Sequence, residues 1–427
     1  MKSENNIILN EVDIAKYVES FLGRIIKEPI LIEYDKSNES YKLNYVYFKR
    51  YDFWNKPKTE IIEAFENYSF KGDYIGTIFF FLSGYWEYVN QIDLDEFHRF
   101  PSHKSFQKIH DILYKPVVDV LVSRIRDKIG VSYKDFYNSP KIFVTHDIDQ
   151  LGLVYGTRFF KGILKDILVR KDINAAFEKI KFKVINKDPH SVENLIEIHK
   201  KHHSKGTFFF LPSVQPRNTY GGYSLKRNKN KIVRLLNKIK ENKHSAGLHY
   251  DSRYLTSNRM LKDVTSIKKL TNKEFVPGRA HFLIFNIIES FNIYENAGIR
   301  LDSSGGYADS IGFRFGTTYP FKPYNFEEKR EYNFLEVPLI VMDATLKSEN
   351  YMNLSPQEGL DIIKKMIDKT SRYNGIFTVL WHNTSFYSNG WNDWKFVYEE
   401  TIKYGKKRGF VSVNAEDIMN LYEVNNE

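Results

Sequence analysis

Cysteine is absent from all 427 residues. Disulfides and thiolate metal sites are therefore excluded, and a reducing compartment suits the chain. No apolar run approaches the roughly 20 residues that a membrane helix needs. The longest, "IGTIFFFLSGYW" at residues 75–86, suits a buried helix, so no membrane span is expected. The opening "MKSENNIILNEVDIAKYV" lacks a basic stretch followed by an apolar one, so no secretory leader is expected and a cytoplasmic location is. There is no G-x-S-x-G elbow, and "SSGG" at 303–306 does not make one, which argues against a serine hydrolase. The glycine patterns of dinucleotide and phosphate loops are missing too. No internal repeat or low-complexity tract stands out.

What is present begins with aromatic rings: 33 Phe and 29 Tyr. Such rings bury large areas, and Tyr adds a polar tip. The net charge is +10, and a basic excess attracts polyanions. Its lysines are scattered, however, and no nucleic-acid partner is expected. The densest basic stretch, residues 161–187 ("KGILKDILVRKDINAAFEKIKFKVINK"), has apolar residues at helical spacing and is expected to be a solvated helical face.

Length alone predicts two or three domains. Residues 1–138 are expected to form an N-terminal α+β domain. "NEVDIAKYVESFLGRII", "DYIGTIFFFLSGYWEYVN" and "KPVVDVLVSRIRDKIG" are its predicted helices, the last capped by Gly130. "ILIEYD" and "LNYVYF" are its predicted strands. Over 139–427, strand candidates alternate with helical stretches: "IFVTHDI", "GTFFFLPS" (206–213), "SAGLHYD", "FVPGRAHFL", "IRLDSS", "LEVPLIVMD", "FTVLWHN" and "FVSVNA". Alternation of this kind predicts parallel βα units, and about eight strands suit an α/β barrel.

In such a barrel the chemistry sits where strands end, and several of these candidates end on polar residues. Asp147 and Asp149 end the first. His249 and Asp251 end the third. Arg279 and His281 lie on the fourth, Asp302 on the fifth, and His382 and Asn383 end the seventh. Alone, an Asp-x-Asp pair more often makes a turn or caps a helix, and a single His after an apolar run is usually structural. Together at one mouth, acids and imidazoles would make a zinc or hard-ion site with a proton donor nearby.

On these motifs residues 139–420 resemble the polysaccharide deacetylase family (carbohydrate esterase family 4), which implies a distorted (β/α)7-type barrel. "THDID", "GTFFFLPS", "HSAGLHYDSR", "GRAHF" and "VLWHN" resemble that family's successive motifs. "IFFFLSGYWEY", "HRF" and "KPVVD" are similar to the N-terminal domain of unknown function carried by one bacterial branch. The resemblance implies Asp147 as catalytic base and Asp149 and His249 as ligands of a divalent metal, zinc as first choice. It further implies His382 as acid and Arg279 as the group that orients Asp147. The usual second metal-binding His stands four residues after the first, where this chain has Arg253, and an Arg has no lone pair to give. Asp251 or His281 is left as a replacement ligand. Tyr307 and Trp381 are candidate sugar-stacking rings.

The implied activity is metal-dependent N- or O-deacetylation of a sugar or polysaccharide, with a carbohydrate substrate as the partner. The alternative, raised by Arg253, is a catalytically impaired, deacetylase-like carbohydrate-binding protein. The sequence leaves the oligomeric state unknown.

Overall fold

Helix α1 (Glu11–Ile26) buries Ile14, Tyr17, Val18, Phe21, Leu22 and Ile25 at three- and four-residue intervals, a stripe that has to meet a core. A three-stranded antiparallel sheet follows: β1 (Ile32–Asp35), β2 (Ser40–Leu43) and β3 (Val46–Lys49). The predicted strand "LNYVYF" holds the end of β2, the two-residue corner at 44–45 and the first three residues of β3. Asn44 sits at that corner at φ +52°, the left-handed conformation that Asn tolerates better than most residues. The segment predicted as one buried helix forms two, α2 (Tyr74–Leu82) and α3 (Tyr85–Val89), because Gly84 turns the chain at φ +68°. Helix α4 (Val117–Ile129) ends on Gly130 in the left-handed region, the predicted C-cap. The computed structural model describes residues 9–26, 29–90, 94–131, 138–152, 157–169, 171–185, 188, 190–211, 222–251, 256–386, 391 and 393–424.

Strand β4 (Lys141–Ile148) is buried along its whole length, as a central strand covered on both faces should be. A helical hairpin comes next, α5 (Thr157–Leu168) and α6 (Ile173–Val184). Strands and helices alternate up to β8, and again from β10: α7 (Val192–Lys201), β5 (Thr207–Phe210), α8 (Lys229–Glu241), β6 (Ser245–Tyr250), α9 (Ser257–Thr271), β7 (Pro277–Ala280), α10 (Glu289–Asn296), β8 (Leu301–Asp302), β9 (Leu335–Glu336), β10 (Val341–Met342), α11 (Pro356–Ser371), β11 (Ile376–Leu380), α12 (Trp394–Lys407) and β12 (Val411–Val413).

These strands make one parallel sheet in the order β9-β8-β7-β6-β5-β4-β11-β10, with β12 also on β4. The two ends of this order, β9 and β10, are neighbours in the chain, separated only by residues 337–340. Val337 N still donates to Asp302 O (2.9 Å) on one edge, and Ile340 N donates to Thr378 O (3.2 Å) on the other. A step of five residues spans at most roughly 18 Å, so the two edges are drawn together. The fold is an α/β barrel whose curled sheet is closed by this strap. The predicted strand "LEVPLIVMD" is split in two for the same reason.

One apolar core lies between the sheet and helices α7, α8, α11 and α12, and includes Val144, Phe208, Leu235, Ile363 and Val397. The other runs unbroken from the N-terminal helices into the barrel, through Val18, Phe79, Leu121, Tyr250, Tyr294, Phe321 and Ile376. Buried polar bonds cross the same boundary. Arg314 donates to both oxygens of Glu87 (2.9 and 2.6 Å), and Thr317 and Thr318 donate to Asp119. Among the described residues no helix is long and apolar enough to cross a membrane.

Candidate metal centre

Side chains alternate across a strand, and that alternation builds the site. On β4, Ile142, Val144 and Ile148 pack outward against the helices. Thr145 and Asp147 therefore point inward, and Asp149 continues that face just past the strand end. Leu248 and Tyr250 pack outward from β6, which sends His249 inward. His281 follows β7 directly, on the inner face that Arg279 also occupies.

The result is a close group. Asp149 Oδ1 lies 3.5 Å from His249 Nε2 and 3.8 Å from His281 Nε2. These three residues offer ligand atoms that all lie within 4.8 Å of one another. A tetrahedral zinc site with bonds of roughly 2.1 Å separates its ligand atoms by about 3.4 Å, close to the two separations from Asp149. Asp147 Oδ2 lies 3.4 Å from His249 Nε2 and 4.0 Å from His382 Nε2. Asp147 Oδ1, Asp149 Oδ1 and His249 Nε2 are buried without a hydrogen-bond partner. His249 Nδ1 pairs with Arg279 O at 2.9 Å. A carbonyl can only accept, so Nδ1 carries the proton and Nε2 keeps a lone pair aimed into the group. Burial pushes the Asp149 carboxyl up, but contact with His249 and the charges of His382 and His281 outweigh it and hold the carboxyl below the usual carboxylate range.

The turn that carries His281 is unusual. Phe282 and Leu283 both take positive φ, +57° and +52°. Such backbone costs roughly 1–3 kcal/mol per residue and persists only where its surroundings impose it. Here the N-terminal region imposes it: Arg99 Nη1 donates to Phe282 O (3.0 Å), while its Nε is held by Asp95 (2.7 Å).

His382 faces the group from β11. Its Nδ1 lies 2.7 Å from Asp343 Oδ1, and its backbone N donates to Asp343 Oδ2 at 2.8 Å. Burial lowers the imidazole pKa, but Asp343, helped by Asp149 and Asp147, more than reverses this and pushes it up to about 10. Sequence reasoning missed Asp343. A signal was available, because Asp343 ends a strand candidate just as Asp147 does. Arg279 is fully buried. It donates to Thr145 Oγ1 (3.2 Å) and Ser303 Oγ (3.1 Å) and lies over the Phe209 ring. Burial lowers its pKa, while Asp147 and Glu336 pull the other way. Its influence on Asp147 is thus one of charge, since its hydrogen bonds go elsewhere.

Other candidates fall outside the group. Asp251 is buried and lies near Asp263 of α9, whose carboxyl is pushed up to about 6 by burial, against Arg259 and with help from Asp251. Asp302 forms a separate buried pair with Glu336, which together with burial raises its pKa, and Tyr250 donates to it. The two rings predicted to stack on sugar offer no open face. Trp381 is fully buried against Trp394 and Tyr398. As the neighbour of inward-facing His382 it has to point outward. Tyr307 is 4% exposed, covered by Arg314 and directed at Gln107. Arg253 lies outside the described residues.

Residues 3–134 match a family described as a family of unknown function, DUF7033. No curated protein matches the chain. Among solved structures it is similar to a candidate polysaccharide deacetylase from Mycobacterium smegmatis, at 14% identity over 69% of this chain and 94% of that one, with a TM-score of 0.44. It is also similar to a CE4 family pseudoenzyme from Bacillus anthracis (14% identity, 66% of each chain, TM-score 0.29). A third is the peptidoglycan deacetylase PdaC from Bacillus subtilis (14% identity, 68% of this chain and 94% of that one, TM-score 0.29). With identity this low, the chemistry has to be judged from the side chains themselves.

Proposed function

We propose that this chain is a metal-dependent hydrolase that removes acetyl groups from a sugar or polysaccharide, at nitrogen or at oxygen. The supporting observation is the convergence of Asp149, His249 and His281 beside Asp147 and His382. Two of the three candidate ligand atoms, Asp149 Oδ1 and His249 Nε2, are buried acceptors left unbonded, a costly state that a cation would relieve. Two imidazoles and one carboxylate suit zinc, with His281 standing in for the ligand that Arg253 cannot provide. A divalent cation held there supplies Lewis acidity toward an acyl oxygen and acidifies water to near neutral pH.

The chain's own groups divide the proton work. Asp147, with Oδ1 unbonded, takes a proton from the attacking water. Arg279, fully buried, sets its positive charge toward that carboxylate. His382 donates from Nε2 to the leaving nitrogen or oxygen while Asp343 holds Nδ1.

The test is acetate release from N- and O-acetylated glycans by the zinc-loaded chain, alongside equilibrium zinc binding. Asp147→Asn should lower the rate by at least about 100-fold with unchanged circular dichroism. His281→Ala should weaken zinc binding by more than the roughly 10- to 100-fold typical of losing an outer partner. Full activity in Asp147→Asn removes the proposed base. Glycan binding with neither zinc nor acetate release would favour the impaired carbohydrate-binding alternative.

A further inference from the structure

The hairpin α5–α6 carries its apolar residues on the wrong side for a core. On α5, Phe160, Leu164, Ile167 and Leu168 share one stripe, and on α6, Ile173, Phe177, Ile180 and Val184 share another. All eight are exposed, Leu168 and Ile173 at 71% and Val184 at 78%. Of the nineteen large apolar residues exposed among the described ones, ten lie between residues 160 and 185. A patch of that density marks a surface that something covers. The hairpin buries little in return: Phe159, Ala176 and Asp166, which pairs with Lys179.

Charge says what covers it. Residues 157–187 hold nine Lys or Arg against three Asp or Glu, a net +6 out of the chain's +10. Lys161, Lys165, Lys171, Lys181 and Lys183 are exposed around the stripes. A second copy seated here would set two strongly positive segments against each other. Anionic lipid headgroups neutralise them, while the stripes enter the acyl boundary and the lysine stems extend back to the interface.

The hairpin is also tied to the site. In the chain it lies between Asp149 and His190. Asn383, next to His382, clips both feet: its Nδ2 donates to Gln150 O (2.7 Å) and to His190 O (2.6 Å).

We propose that α5–α6 is a docking device for an anionic bilayer surface, holding the rim of the site against glycan carried at that surface. The docking stands on its own, and the statement about glycan rests on the proposed deacetylation.

The test is co-sedimentation of the full chain with vesicles of phosphatidylcholine alone or mixed with phosphatidylglycerol. Binding to the mixed vesicles, weakening with added salt, is expected. Leu164→Ser/Leu168→Ser/Phe177→Ser should abolish it, and Lys181→Gln/Lys183→Gln should weaken it by at least about tenfold. Both variants change exposed side chains and should keep the thermal melt and acetate release from a soluble substrate. Equal binding to both vesicle types, or none, overturns the proposal. So does a dimer, seen by light scattering, that the serine variant dissociates without any vesicle binding. Vesicle binding without acetate release leaves the docking intact and sinks the deacetylase function, and the converse result does the reverse.

Discussion

His382 has two nitrogens with two different tasks. Nδ1 is committed to Asp343, 2.7 Å away, and Nε2 is left facing Asp147. The carboxylate fixes the tautomer and favours the imidazolium, which is what a proton donor requires. If His382 is the acid, activity falls as pH rises through its pKa, and Asp343 delays that fall. Asp343→Asn should therefore move the alkaline limb of the kcat/KM profile to lower pH and reduce the rate by about 10- to 100-fold. An unmoved alkaline limb would remove Asp343 from this role. At this scale the sequence was partly legible. Asp147, Asp149, His249, Arg279 and His382 stood out because each ends or follows an apolar run. Asp343 has the same signature and acquires its meaning only from a partner 39 positions away.

At the scale of elements, strand alternation decides which of the candidate residues face inward. Residues two apart share a face, so Asp147 and Asp149 go in together, and neighbours such as His382 and Trp381 cannot. Trp381 packs into the outer layer, where its Nε1 donates to Ser385 O at 3.3 Å. Trp381→Ala should then destabilise the fold by about 3–5 kcal/mol in urea unfolding with KM for the acetylated substrate unchanged. A raised KM with unchanged stability would restore the ring as a sugar platform. His146, one residue before Asp147, likewise points outward, pairing with His199 Nε2 at 2.9 Å and Trp381 O at 2.7 Å. The broken helix at Gly84 and the hairpin corner at Asn44 were harder to see. Single left-handed residues ended those elements inside otherwise regular apolar patterns.

The whole molecule is where the N-terminal region acquires a role. Its helices share one core with the barrel, the Glu87–Arg314 pair is buried between them, and Arg99 braces the turn that carries His281. A barrel without that partner would expose a large apolar face and strip Arg314 of its counter-charge. Deleting residues 1–138 should yield a chain that aggregates or melts without a cooperative transition in calorimetry. A cooperative, zinc-binding barrel after that deletion would show the region to be dispensable for the site. Composition, the alternation of strands and helices, and polar residues at strand ends are local properties, and the sequence by itself determined them: an α/β barrel with polar residues where its strands end. Which histidine stands beside Asp149 and His249, which rings are covered, and that the apolar stripes of 160–184 face outward were decided only by tertiary structure. Those outcomes depend on contacts between residues far apart in the chain, and no local pattern encodes which surfaces meet.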